Sequence, residues 1–288
     1  MRIGLLDIDS KIPNLALMKL SAYHKRHGDH VSFWNAFEPF DRIYASKIFS
    51  YTSFSYLPKE TIKGGTGYSL TEALSPEIEH TSPDYDLYHI DYAMGYHTRG
   101  CINSCGFCVV PKKEGPLRIH APLDEFWHGQ KRVVLLDNAI TDLRQAWKTL
   151  EFIRDQKIEL DLMQGFNVCT IQPACAKILA EIKLWKNKQW KIAWDNYNEL
   201  DKIQRGLGIL EAAGIKGYRI MCYVLTNYNT SINQDLERVN YLELNDIDPF
   251  IMVYNQTEAP QIYRDLQRWC NRPQIRHSCT FDEFHSKR

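Results

Sequence analysis

From residue 95 onward the sequence alternates six short apolar runs with stretches of helical length, and few folds accept that rhythm. The runs are GYHTR (95–99), RVVLLD (132–137), ELDLMQ (159–164), KIAWD (191–195), YRIMCYVL (218–225) and DPFIMVYN (248–255). Nearly all are too apolar to face water on one side, as expected of parallel strands covered on both faces. Between them, Leu143, Trp147, Leu150 and Ile153 form one helical stripe, and Ile171, Cys175, Ile178, Ile182 and Trp185 form another. Parallel neighbours need a crossover long enough to hold a helix, so repeated strand–helix units predict a parallel sheet or barrel. AAGIKG (212–217) supplies a glycine helix stop and a turn into the fifth strand.

The first 90 residues carry a shorter version of the pattern. IGLLDID (Ile3 to Asp9) reads as a buried strand, followed by an amphipathic helix from Asn14 to His27 with Leu15, Met18 and Ala22 on one face, closed by Gly28. HVSFW and DRIYAS have the β-branched and aromatic character of further strands. KGGTGY (63–68) is a loop whose glycines either make a turn or line a ligand, the turn being the commoner use. SPDYDLY (82–88) reads as an irregular linker, which puts a boundary near residue 90.

Composition narrows the class. Lys plus Arg and Asp plus Glu are both 35, so zero net charge predicts no broad attraction to nucleic acid or to an anionic membrane. No apolar run approaches the ~18 residues of a membrane span, and MRIGLLDID lacks the basic flank and cleavage site of a signal peptide. A cytoplasmic, reducing setting is expected. There, eight cysteines with none before Cys101 and three within eight residues favour ligation over disulfides.

Those three stand in GCINSCGFCVVPKKEG as Cys101, Cys105 and Cys108, spaced Cys-x3-Cys-x2-Cys. One tight loop with three thiolates can hold three irons of a cubane and leave the fourth open for chemistry. Gly100 and Gly106 suit the unusual backbone angles of such a loop. The competing reading is zinc, with His97 completing a Cys3His tetrahedron. Zinc sites usually draw on two separated ligand pairs, and the chain has no second Cys-x2-Cys. Cys169, Cys175, Cys222, Cys270 and Cys279 are scattered and read as ordinary side chains, Cys175 and Cys222 as core.

The spacing, with the aromatic Phe107 just before the last cysteine, resembles the signature of the radical S-adenosylmethionine (SAM) superfamily. The resemblance implies a 4Fe–4S cluster on Cys101, Cys105 and Cys108, with SAM chelating the open iron and Phe107 in the cofactor-binding loop. It implies reductive cleavage of SAM to a 5′-deoxyadenosyl radical that abstracts hydrogen from a substrate the residues do not identify. A reductant such as flavodoxin or ferredoxin is the implied partner, with no membrane and no nucleic acid. The implied fold is a partial (βα)6 TIM-type barrel with the cluster loop after its first strand, which agrees with the six runs counted above.

Ligands of βα barrels gather at the C-terminal ends of the strands. Asp137 and Asn138 end the second strand, where the family has a Gly-Gly-Glu stretch for the SAM amino group; LLDNAIT departs from it, and a helix cap near Asp142 is the alternative. Asp195 after the fourth run corresponds to the family's acceptor for the ribose hydroxyls, with a helix cap again the alternative. Gln164, Thr226 and Tyr254 follow or end other runs and are candidate cofactor or substrate contacts. Lys112, Lys113 and Arg118 read as a solvated charged loop rather than as catalytic groups.

The N-terminal segment resembles the Rossmann-like, cobalamin-binding-like domain that precedes many radical SAM barrels. Asp7 leads into IDSKIPN without the histidine of Asp-x-His-x-x-Gly, so cobalamin is not expected. GCINSCGFCVVP is also similar to the tRNA methylthiotransferases. Their three N-terminal cysteines are missing, however, and the tail after Cys270 is too short for their RNA-binding barrel. The expected fold is thus α/β, with a Rossmann-like domain at 1–90, a radical SAM partial barrel at 91–270 and a C-terminal tail at 271–288. From a different class, the alternative is a non-catalytic zinc- or cluster-containing binding protein.

Overall fold

The computed structural model describes residues 1–185 and 189–286; the last two residues of the expected tail lie outside the described residues. The chain forms two compact units, Met1–Leu136 and Asp137–Arg288.

In the first unit, β1 (Arg2–Asp7) is central because its residues Ile3, Gly4 and Leu5 are buried. Helix α1 (Leu15–Arg26) starts where the Asn14 side chain accepts from the Leu17 N–H at 3.2 Å. It is followed by Gly28 at φ +80°, the left-handed conformation that glycine adopts at little cost. β2 (His30–Phe33) and β3 (Arg42–Ser46) flank β1, and β4 (Ile62–Gly64) pairs with β3. All pairings are parallel, in the order β2-β1-β3-β4. Ile3 and Leu5 pack with Leu17 and Leu20 as the core. The KGGTGY segment is a tight turn: Gly65 has φ +92°, and a side chain there would strike the Lys47 carbonyl.

After α2 (Pro76–Glu79), the segment 82–88 is not slack, since Tyr85 donates to the Phe126 carbonyl and Tyr88 to Asp7, each at 2.6 Å. Next come β5 (Ala93–Gly95), β6 (Thr98–Arg99), α3 (Val110–Lys113), β7 (Arg118–Ile119) and β8 (Arg132–Leu135). β5 pairs parallel with β8, whereas β6 pairs antiparallel with β7. The run expected as one strand at 95–99 is therefore split. Gly95 packs so tightly under the Phe126 ring that a Cβ would collide with it, and His97 turns away to donate through Nδ1 to the Ala121 carbonyl at 2.8 Å.

The second unit contains α4 (Trp147–Asp155), β9 (Glu159–Leu162), α5 (Pro173–Glu181), β10 (Trp190–Trp194), α6 (Leu200–Ala212), β11 (Ile220–Thr226), α7 (Ile232–Leu244), β12 (Asp248–Val253) and α8 (Gln261–Cys270). Two short helices, α9 (Pro273–Arg276) and α10 (Phe281–Ser286), follow. β10, β11 and β12 form a parallel sheet in which Trp194 pairs with Val224 and Val224 with Ile251. Phe166, just past β9, bridges to Ile192 of β10 through its N–H to the Lys191 carbonyl at 3.0 Å. No ladder among the described residues closes these strands into a ring. Helix α7 opens with a reciprocal capping box between Ser231 and Gln234. Its Arg238 is fully buried, donating to the Trp194 carbonyl at 2.6 Å, the Leu225 carbonyl at 2.7 Å and Asp235 at 2.5 Å. One guanidinium thereby ties the ends of β10 and β11 to α7. The protein is thus a mixed α/β chain with parallel sheets. No helix among the described residues is long and apolar enough to cross a membrane.

Candidate functional site

The β6–β7 ribbon is the stem of the cysteine loop. Arg99 pairs with Arg118, Cys101 bridges to Pro116, and the Cys101 N–H reaches the Gly115 carbonyl at 3.4 Å. Gly100 has φ +86°, and a side chain there would run into the Pro116 carbonyl, so this position requires glycine. Within the loop the Cys108 N–H donates to the Cys105 carbonyl at 3.1 Å, and the Asn103 N–H points at the Cys101 sulfur at 3.4 Å. Cys101, Cys105, Cys108 and Phe107 are each half-buried, and none of the eight cysteines is in a disulfide.

The donor set fits a cluster with one open iron: three thiols on one loop, and a backbone N–H directed at one of the sulfurs. Among the described residues no three His, Cys, Asp or Glu side chains form a group that would hold a metal ion. The zinc alternative meets the same fact. His97 is buried on the Ala121 carbonyl, its pKa lowered by burial.

The stem carries a charged network. Arg99 donates to Glu79 at 2.8 Å and faces Glu114 at 3.8 Å, its guanidinium lying 4.1 Å from the Tyr96 ring centre. Glu114 also accepts the Gly100 N–H at 3.1 Å. Glu79 takes Lys19 at 3.1 Å and His120 at 3.0 Å on the same oxygen. Burial pushes the Glu79 carboxyl up, but the His120 hydrogen bond, Arg99 and Lys19 together outweigh it and hold the group at about 2. Burial lowers the pKa of Lys19 and of Lys113, so desolvation of the cations offsets part of what the carboxylates gain. Lys112 and Arg118 are exposed, as expected of a solvated loop; Lys113 instead turns inward to donate to Thr66.

In the second unit, Asp137 is fully buried and Asn138 half-buried. Neither caps the short turn Ile140–Asp142, whose cap position is Ala139. Gln164 is exposed just past β9. Asp195 directly follows β10, and burial pushes its carboxyl up to about 6, with Arg238 pulling down and Glu199 pushing up. It does not cap the following turn: Asn196 does, accepting the Asn198 N–H at 3.1 Å. Thr226 ends β11, is fully buried, and its hydroxyl has no partner among the described residues. Tyr254 donates its N–H to the Thr226 carbonyl at 3.0 Å and is 40% exposed. Asp195, Thr226 and Tyr254 therefore share the C-terminal edge of one parallel sheet, the end at which open α/β sheets bind ligands.

Sequence reasoning missed Glu79, Glu114, Lys19 and the Asp235–Arg238 pair; only the placement of Arg99 beside Gly100 and Cys101 hinted at the network. Set against known proteins, the chain matches no family model and no curated protein. The geometry itself defines a mixed α/β protein with a three-thiol loop on a charged stem and buried polar groups at the ends of parallel strands.

Proposed function

We propose that this protein is a radical SAM enzyme, with a Rossmann-like N-terminal domain and a partial (βα)6 barrel. The carrying observation is the Cys101, Cys105 and Cys108 spacing with Phe107, on a loop whose stem requires Gly100. When bound, the cluster supplies the electron that splits SAM into methionine and a 5′-deoxyadenosyl radical. Cys101, Cys105 and Cys108 are the ligands. Asp195 accepts the ribose hydroxyls: a partly dehydrated carboxylate with no capping duty gains more from two hydroxyl donors than from scattered water. Thr226 offers a buried hydroxyl at the same edge, and Asp137, Asn138 and Gln164 complete the set of candidate SAM or substrate contacts.

The test is reconstitution under anaerobic conditions. The protein should take up about four irons and four sulfides per chain and release 5′-deoxyadenosine from SAM once reduced by dithionite or flavodoxin. Cys105→Ala should lose both properties. Colourless protein holding one zinc, or SAM cleavage that survives Cys105→Ala, would overturn the proposal in favour of a non-catalytic zinc-binding protein in the first case and of another cleavage site in the second.

A further inference from the structure

We propose that Arg99 is a positioning residue that clamps the cysteine loop between Glu79 and Glu114 and sets the reduction potential of the cluster it would hold. The inference rests on the radical SAM reading and deepens it. Three contacts converge on the two residues before the first cysteine: Arg99 on Glu79 at 2.8 Å, Arg99 facing Glu114 at 3.8 Å, and the Gly100 N–H on Glu114 at 3.1 Å. Glu79 comes from α2 and is itself anchored to α1 by Lys19 and to the residue after β7 by His120. The start of the loop is thus tied to α2 through the Arg99 guanidinium, and its far side is tied to Thr66 by Lys113. A planar fork can bridge two carboxylates, which a lysine cannot reproduce.

What matters for the cluster is which charge lies next to its loop. Lys19, Arg99 and Lys113 stand against the carboxylates Glu79, Glu114 and, beside Lys19, Glu125, so the charges nearly balance and the cation next to the cysteine loop is Arg99. The Arg99 side chain is 19% exposed and that of Glu114 6%, so solvent screens this charge poorly. A cluster becomes more negative by one charge on reduction, and a fixed cation beside its loop favours that state. The Nε of Arg99 is moreover buried with no partner among the described residues, a donor the clamp itself leaves unused.

The experiment compares Arg99→Met, Arg99→Lys and Glu114→Gln with the unaltered full-length protein, reconstituted anaerobically. The readouts are iron release to a chelator, the electron paramagnetic resonance signal and midpoint potential of the reduced cluster, and alkylation of Cys101 in iron-free protein. Arg99→Met should speed iron release and Cys101 alkylation about tenfold and shift the reduction equilibrium about tenfold toward the oxidised form, about 59 mV for one electron. Arg99→Lys should recover the potential but not the slow iron release. Glu114→Gln should also loosen iron but move the potential the opposite way, upward, which a merely structural role would not do. Unchanged potential and unchanged Cys101 alkylation in folded Arg99→Met, with the unaltered protein fully loaded, would overturn the clamp alone. If Arg99→Met does not fold, a Glu114→Gln potential that falls or stays put overturns it. An unaltered protein that takes up no iron overturns the radical SAM reading and this inference together.

Discussion

Replacing Asp195 by Asn should stabilise the second unit at neutral pH, although it removes a candidate ligand contact. Burial holds this carboxyl at about 6 against an ordinary value of 3.8, so the folded chain binds the proton more tightly than the unfolded chain does. A raised value means that stability falls as pH rises: the group costs nothing below its ordinary value, the cost grows from there, and it is complete above about 6. The gap of roughly two pH units, at about 1.36 kcal/mol each, sets a ceiling of about 3 kcal/mol. Water reaches the half-buried group, so about 1–3 kcal/mol is the expected range. Asn does not titrate. The variant and the unaltered protein should therefore match near pH 4 and diverge toward pH 7, with the variant the more stable. Urea unfolding across this range, followed by tryptophan emission, measures the difference, because Trp190 and Trp194 lie in the adjoining strand β10. A stability difference that does not change with pH, or a variant less stable at neutral pH, would refute the reasoning. On the radical SAM proposal, SAM affinity should move the other way, falling roughly 10- to 100-fold with the loss of a charged acceptor.

Two further perturbations probe the packing that holds the strand ends. Arg238→Leu leaves Asp235 buried without its cation and removes the donor from the Trp194 and Leu225 carbonyls, so a loss of about 3–5 kcal/mol is expected. Thermal unfolding should fall by on the order of 10 °C, and a drop of only ~2 °C would contradict the burial argument. Gly206 and Gly208 lie two residues apart in α6, where Ala normally gains about 1 kcal/mol over Gly. A Cβ at Gly206 meets the Val168 carbonyl while Gly208 faces open space, so Gly206→Ala should destabilise and Gly208→Ala should stabilise. Equal signs in denaturant midpoints would show that α6 does not pack on the 168–170 turn as described.

The residues that could be read from the sequence are those whose job is settled by near neighbours. β8, β10, β11 and β12 begin within two residues of their apolar runs because apolar runs mark strands locally, although only β8 and the end of β11 are buried at consecutive positions, while β10 and β12 alternate buried and half-exposed residues. The cysteine loop was legible for the same reason, since its three thiols lie within eight residues of each other. The strand expected at 95–99 broke because its fate depends on Phe126, about 30 residues on, whose ring fills the space above Gly95. Asp195 and Asn196 are adjacent and both able to cap; the local sequence cannot say which one does, and the turn geometry gives the task to Asn196.

The same distinction explains the charged groups. A lysine in PKKEGPLR looks solvated from its neighbours, yet Lys113 is drawn inward by Thr66, 47 residues earlier. Arg238 occupies a helix of mixed polarity and is fully buried because two strand ends and Asp235 compensate its desolvation together. Glu79 sits in a four-residue helix with no pattern to recommend it, and it matters because Lys19, Arg99 and His120 arrive from three separate stretches of chain. Periodicity reports what each segment hides from water, whereas a buried charge reports what distant segments bring to it. For this protein the thiols belong to the first kind and the groups that would tune them to the second. Substitutions at Glu79 or Arg99 should therefore alter the chemistry of the cysteine loop without touching a ligand.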